Sequence, residues 1–185
     1  VNGWRGIVLD GGEGELAYTE VNYGGRANSA GVSSNVVVTG GGRLDLEQGV
    51  MFGNSTSGAD RGLYVFDGQA VVSGTLFQAN GGSSSDYALY AATSDAVITL
   101  TNSVFADNNG YAIGVQGAHL YQLHMTGNTF SGSVEEGRRV HVTGGTLGAD
   151  ATLVAQTGLE GYELTDSFTV PVGVALDLTP GVQVL

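Results

Sequence analysis

The chain has 185 residues, enough for one domain with a sizeable core, and 42% of them are hydrophobic, so composition excludes a disordered chain. Eighteen acidic residues stand against six arginines and no lysine, a net charge of -12 that repels phosphates and makes nucleic acid and anionic membrane poor partners. There is no cysteine, so disulfides and thiolate metal sites are excluded, and no apolar run reaches the roughly 18 residues needed to span a bilayer.

Glycine is abundant, 32 residues against 2 prolines, which predicts many tight corners in a sheet-rich fold. Taken in chain order, short apolar stretches follow each corner: "GIVL" at 6–9, "VVV" at 36–38, "GLYVF" at 62–66, "YALYA" at 87–91, "YAIGV" at 111–115 and "VHV" at 140–142. Their markers Ile7, Val36, Leu63, Leu89, Ile113 and Val140 recur every 24 to 29 residues. A second series interleaves with the first, at 44–54, 70–80, 97–108 and 120–132, and leads to Phe52, Phe77, Phe105 and Phe130. Residues alternate with period 2 in these stretches, and nowhere is there a capped run at helical spacing. A repeat near 26 residues with two or more strands predicts one turn of a solenoid, its strands stacked in parallel about 4.8 Å apart. The expected fold is all-β, a single domain over 1–185: a right-handed parallel β-helix of roughly seven coils, about 30–35 Å long.

The phrases "WRGI" at 4–7 and "LAYTEVNYGG" at 16–25 resemble the Trp-x-Gly-Ile and Leu-x-Tyr-x-x-Ile-x-Tyr-x-Gly wording of bacterial right-handed parallel β-helices of the pectate-lyase-like superfold. "FQAN" at 77–80 and "FADN" at 105–108 are similar to the Phe-x-x-Asn repeats of polymorphic outer-membrane and adhesin-type β-helices, and 168–185 resembles their strand-Pro-Gly-strand unit. The resemblance implies the fold, and it implies as functions either an extracellular structural rod or polysaccharide cleavage. A lyase of this kind would hold Ca²⁺ on an acidic cluster and use an Arg or Lys as base or charge neutraliser.

The residues support the lyase poorly. No two aspartates lie at i, i+2 on any strand, so no acidic pair is expected on one side of a strand. Asp60, Asp86 and Asp107, on loops before successive strands, are the candidate Ca²⁺ ligands if a cluster forms across coils, and solvated turns are the bland alternative. Arg138 and Arg139 are expected to pair with Glu135 and Glu136. His119, His124 and His141 do not make a convincing metal set, although a coil would bring His119 or His124 near His141. The tyrosines, notably Tyr87 and Tyr111 at matching positions, are expected to pack against one another, one side of the ladder inside, rather than stack on sugar. Ice or mineral binding ranks last, because the threonines do not recur at a fixed coil position.

Phe52, Phe77, Phe105 and Phe130 are therefore expected as an inward ladder, with Asn80 and Asn108 turning the corners in left-handed conformation. Neither end offers a helix to cap its strand edges, and the chain begins at Val1 without Met, as a processed product, fragment or excised repeat would. Trp4, Ile7, Val182, Val184 and Leu185 are the expected self-association surface, joining copies head to tail or meeting further coils of a parent chain. The expected function is a non-catalytic extracellular or cell-surface structural or adhesive β-helix without cofactor. A polysaccharide lyase, hydrolase or carbohydrate-binding module is the alternative.

Overall fold

In the computed structural model, residues 4–22, 33–53, 61–83, 86–132 and 134–185 are described. The strands follow in chain order as Ile7–Asp10 (β1), Glu13–Ala17 (β2), Glu20–Asn22 (β3), Ser34–Thr39 (β4), Gly42–Glu47 (β5), Val50–Phe52 (β6), Arg61–Val65 (β7), Gly68–Ser73 (β8) and Leu76–Gln78 (β9). They continue as Tyr87–Ala91 (β10), Ala96–Thr101 (β11), Val104–Ala106 (β12), Tyr111–Gln116 (β13), Leu123–Thr126 (β14), Thr129–Ser131 (β15), Arg139–Thr146 (β16), Ala151–Leu153 (β17), Gly161–Thr169 (β18) and Leu176–Leu178 (β19).

As far as β13 each strand pairs in parallel with the one three places on, its counterpart in the next coil, and then β16 pairs with β18. Sheet A runs β1-β4-β7-β10-β13-β16-β18, sheet B β2-β5-β8-β11-β14 and sheet C β3-β6-β9-β12-β15, while β17 pairs with β19. The result is a parallel β-solenoid of about six turns with a period near 26 residues. The count falls short of seven because the first period is long, Ile7 pairing with Val36, and the last coil is incomplete. All six apolar markers of the sequence sit in one inward row of sheet A: Ile7, Val36, Leu63, Leu89, Ile113 and Val140 are mutual partners. Leu44, Leu46, Ala70, Val72, Ile98 and Leu100 form the facing inward rows of sheet B and are buried.

The inward row of sheet C is Val21, Met51, Phe77, Phe105 and Phe130. Phe77 and Phe105 stack with centroids 4.8 Å apart at 3°, and Phe105 and Phe130 at 5.0 Å and 6°. Phe52 is not part of this ladder, contrary to the sequence expectation. It pairs with Gln78 on the outward side, because period 2 makes a one-residue slip reverse the face, and Met51 takes the inward place.

The corner between sheets B and C is turned by left-handed residues, Tyr18, Gln48, Gly74, Asn102 and Gly127, with φ from 48° to 67°. The corner from sheet C towards sheet A uses Gly53, Ala79, Asp107 and Gly132 in the same way. Asn80 and Asn108 are thus not the left-handed residues themselves, as was expected. Each follows one, and its side chain turns into the interior, where both are buried.

Replacing Phe105 by Ala should cost about 3–5 kcal/mol of unfolding free energy, since it removes the middle ring of a buried stack. Phe52→Ala should cost about 1 kcal/mol or less, as a change on the outer face. Urea unfolding of the two variants checks the register: equal losses would return Phe52 to the ladder.

Candidate functional site

Two polar ladders line the interior beside the aromatic one. At the corner towards sheet A, Asn80 N–H donates to Asn108 Oδ1 (3.0 Å), as does Asn80 Nδ2 (3.2 Å). Asn80 Nδ2 also reaches Met51 O (2.9 Å), and Asn108 Nδ2 donates to Phe77 O (3.0 Å). The other corner carries a ladder that the sequence reading missed. Thr75 N–H donates to Ser103 Oγ (3.2 Å), Ser103 N–H to Asn128 Oδ1 (2.9 Å), and Asn128 N–H to Gln156 Oε1 (2.7 Å). Its signal lies in the phrases "SGTLF" at 73–77, "TNSVF" at 101–105 and "TGNTF" at 126–130, where a small polar residue recurs two before each Phe. These side chains take backbone donors that the turning chain leaves without a strand partner, which is why polar residues are tolerated inside. Asn108→Ala should strand the Asn80 amide and the Phe77 carbonyl and cost about 2–4 kcal/mol. Thermal or urea unfolding reads it, and a loss under half of that would show that water replaces the ladder.

The acids do not converge as a lyase requires. Asp60 lies outside the described residues. Asp86 is buried, and its Oδ2 accepts from Gly82 N–H (2.8 Å), Ser83 N–H (2.8 Å) and Ser83 Oγ (3.0 Å), so it closes its own loop. Asp107 is the exposed left-handed corner residue. Acidic pairs do share a strand face, against expectation: Glu13 and Glu15 on β2 and Asp45 and Glu47 on β5, with Glu15 beside Asp45 in register. Arg43 bridges to Asp45 (2.7 Å). Among the described residues no group of three His, Asp or Glu is placed to hold a metal ion. His124 is in register with Thr99 on sheet B, while His141 is on sheet A, so those two histidines lie on different sheets.

The distinctive surface is the outer face of sheet A. Phe66, Tyr64, Tyr90, Tyr87, Tyr111 and His141 form a continuous stack, with successive centroids 4.4–6.3 Å apart and planes within 28°. The expected packing of Tyr87 on Tyr111 is found, but on the outside of the solenoid. Gly114 makes room for it. Tyr90, Gly114 and His141 are successive partners, and a Cβ on Gly114 would strike the Tyr87 and Tyr90 rings. Tyr87 Oη therefore reaches past the intervening coil to His141 Nδ1 (2.7 Å), and His141 Nε2 contacts Thr165 Oγ1 (2.9 Å). Tyr111 Oη–H donates to Glu163 Oε1 (3.0 Å). Arg139 then pairs with Glu163 (3.2 Å), Glu160 (2.9 Å) and the expected partner Glu135 (2.6 Å). At the other end the Arg61 guanidinium lies over Tyr64 and Tyr90, 5.1 and 5.3 Å from the ring centroids.

At the termini, Trp4 Nε1–H donates to Asn22 O (2.7 Å), which lays the indole across the first coil, and Ile7 pairs with Val36. Val182 packs against the core, and Val184 forms a parallel bridge with Tyr162, Leu185 N–H donating to Tyr162 O (2.9 Å). The last residues thus begin a further strand on sheet A in cis, leaving their other edge and the exposed Leu178, Val184 and Leu185 side chains facing outward. No family model, curated protein or solved structure matches this chain.

Burial, above all, pushes the Tyr87 hydroxyl up to about 12, aided by Tyr90 and Tyr111. It does the same for Tyr111, to about 12, where the bond to Glu163 adds to it. Burial lowers the His141 imidazole below its ordinary value of 6.5, against the opposing pull of Glu163 and Asp166. The unfolded chain then takes up the histidine proton first, so stability should fall as pH drops from about 6.5 through the folded-state value. Melting temperatures measured across this window should decline, and His141→Asn should flatten the profile. Above pH 10 the unfolded chain loses tyrosine protons first, so stability should fall again as pH rises towards 12. A spectrophotometric titration that ionises every tyrosine near 10 in the folded protein would contradict the buried stack.

Proposed function

We propose that this chain is a non-catalytic structural or adhesive β-helix of the extracellular or cell-surface kind, a rigid rod segment that continues end to end with further coils. The observation that carries this is the outer face of sheet A, where aromatic, imidazole, acidic and basic groups engage one another along the rod axis. Rings stacked face to face present their edges outward, whereas binding of a sugar by stacking needs an open face. Tyr87, Tyr111, His141 and Glu163 have their polar atoms committed to partners in other coils. The Trp-x-Gly-Ile and Phe-x-x-Asn phrases support kinship with adhesin-type β-helices of the pectate-lyase-like superfold, and the acidic composition suits an extracellular protein that must stay soluble.

Both ends favour continuation. Among the described residues β1, β2 and β3 each have a strand on one side alone, and the opposite end exposes Leu178, Val184 and Leu185. Light scattering coupled to size exclusion should show a mass that climbs in multiples of the chain with concentration, and Val184→Lys with Leu185→Lys should suppress it. A monomer at every concentration would remove the stacking subunit and leave only a segment within a longer rod.

A carbohydrate-binding role has one observation in its favour: Phe66 ends the stack and is 43% exposed. Affinity electrophoresis in polygalacturonate tests it. Retardation abolished by Phe66→Ala would support it, and unretarded migration would exclude that polysaccharide.

A further inference from the structure

We propose that the slot between β14 and β17 is a strand-addition site, which takes one extended peptide segment and so completes sheet B. Sheet B ends at β14, although β17 follows it one coil on. On the flanking sheets the same two coils stay in contact: β13 pairs with β16, and Thr129 bridges Thr157. Only in sheet B do they part, β14 and β17 standing further apart than paired strands. The cause lies next door. A register shift between Thr143 and Gly145 bends β16, and β17 swings away to pair with β19. A 3₁₀ turn, Gly117–Gln122, widens the corner that enters β14.

The opening is a cavity of about 270 Å³, walled by β14 on one side and Ala151, Thr152 and Val154 on the other. It reaches the core. Leu123 and Met125 are 8% and 6% exposed, whereas Ile98 and Leu100, their partners on β11, are at 0%.

Backbone chemistry identifies the occupant. Thr126 O accepts from Asn102 on the β11 side, so by alternation the amide groups of Met125 turn to the slot. Ala151 N–H and Leu153 O bond towards β19, so those of Thr152 turn to the slot as well. A side chain already stands in for a missing strand at its far end: Tyr162 Oη accepts from Val154 N–H (3.1 Å) and donates to Val154 O (3.0 Å). Gln156 Nε2, at Met125 O (3.5 Å), repeats the contact of Asn128 Nδ2 with Leu100 O (3.0 Å) one coil earlier. The positions left on the two facing edges, Met125 N–H and the Thr152 N–H and C=O, over an apolar floor fit an extended backbone with small apolar side chains at alternate positions.

The probe is acetyl-GQAVVSG-amide, a copy of residues 68–74, the sheet B strand with the smallest inward side chains. Amide hydrogen exchange followed by NMR should show Met125 and Thr152 slowed about tenfold at a peptide concentration near ten times its dissociation constant. A peptide of the same sequence N-methylated at Ala and both Val positions should give no protection, and Thr152→Pro, which removes the slot-facing donor of β17, should weaken binding. If the methylated peptide protects equally, the slot accepts side chains rather than a strand, and the proposal falls. It also falls if the unmodified peptide gives no protection at millimolar concentration, or if folded Thr152→Pro binds undiminished. Should Thr152→Pro fail to fold, the pair of peptides on the native chain decides.

Discussion

Parallel pairing from coil to coil is the constraint from which the rest of the structure follows. Each strand bonds to the same strand one period earlier and later, so each coil must return to the same place within a residue. Insertions are therefore confined to corners. The connection from β12 to β13 takes four residues, 107–110, while that from β3 to β4 takes eleven, 23–33, yet Ile7, Val36 and Ile113 occupy one row. Left-handed residues set the corners, and the inward polar ladders at Thr75–Ser103–Asn128 and Asn80–Asn108 satisfy the amides that the bends release.

How much of this was legible in the sequence depended on how many solutions each pattern allowed. The sheet A row could be read directly, because an inward position in a coil with neighbours on both sides admits little but Ile, Leu and Val. The Phe ladder was legible at Phe77, Phe105 and Phe130 and wrong at Phe52, where an aromatic residue sits beside a methionine and residue type pointed to the wrong one of two adjacent positions. The polar residue two before Phe77, Phe105 and Phe130 marks the register there, but Gly49 stands in that place before Met51 and carries no such signal.

The side of the tyrosines was not legible. Tyr87 and Tyr90 are three apart, which strict alternation would place on opposite faces, yet they stack on the same one because Ala88 and Leu89 are both turned inward at the strand's beginning. Nor could sequence show the parting of β14 from β17, which follows a register shift in β16, the strand just before β17. The acidic pairs of β2 and β5 were missed because aspartates were considered without glutamates. Asp86, a plausible ligand by spacing, proved to be a loop closure, a role that depends on backbone amides rather than on neighbouring residue types.

Gly114 has a consequence for how the rod comes apart. Solenoids usually behave as a chain of units that feel only their nearest neighbours, so they can fray from an end one coil at a time. Here the absent side chain lets Tyr87 on β10 hold His141 on β16 across β13, and Tyr111 on β13 holds Glu163 on β18 across β16. These links overlap, so the coils bearing β10, β13, β16 and β18 are cross-tied as one cooperative block, and loss of any one removes contacts from a coil that is not its neighbour. The links described begin at β10, after the first three coils. Under load or heat, the solenoid should yield from its first coils inward and stop at the block that begins with β10.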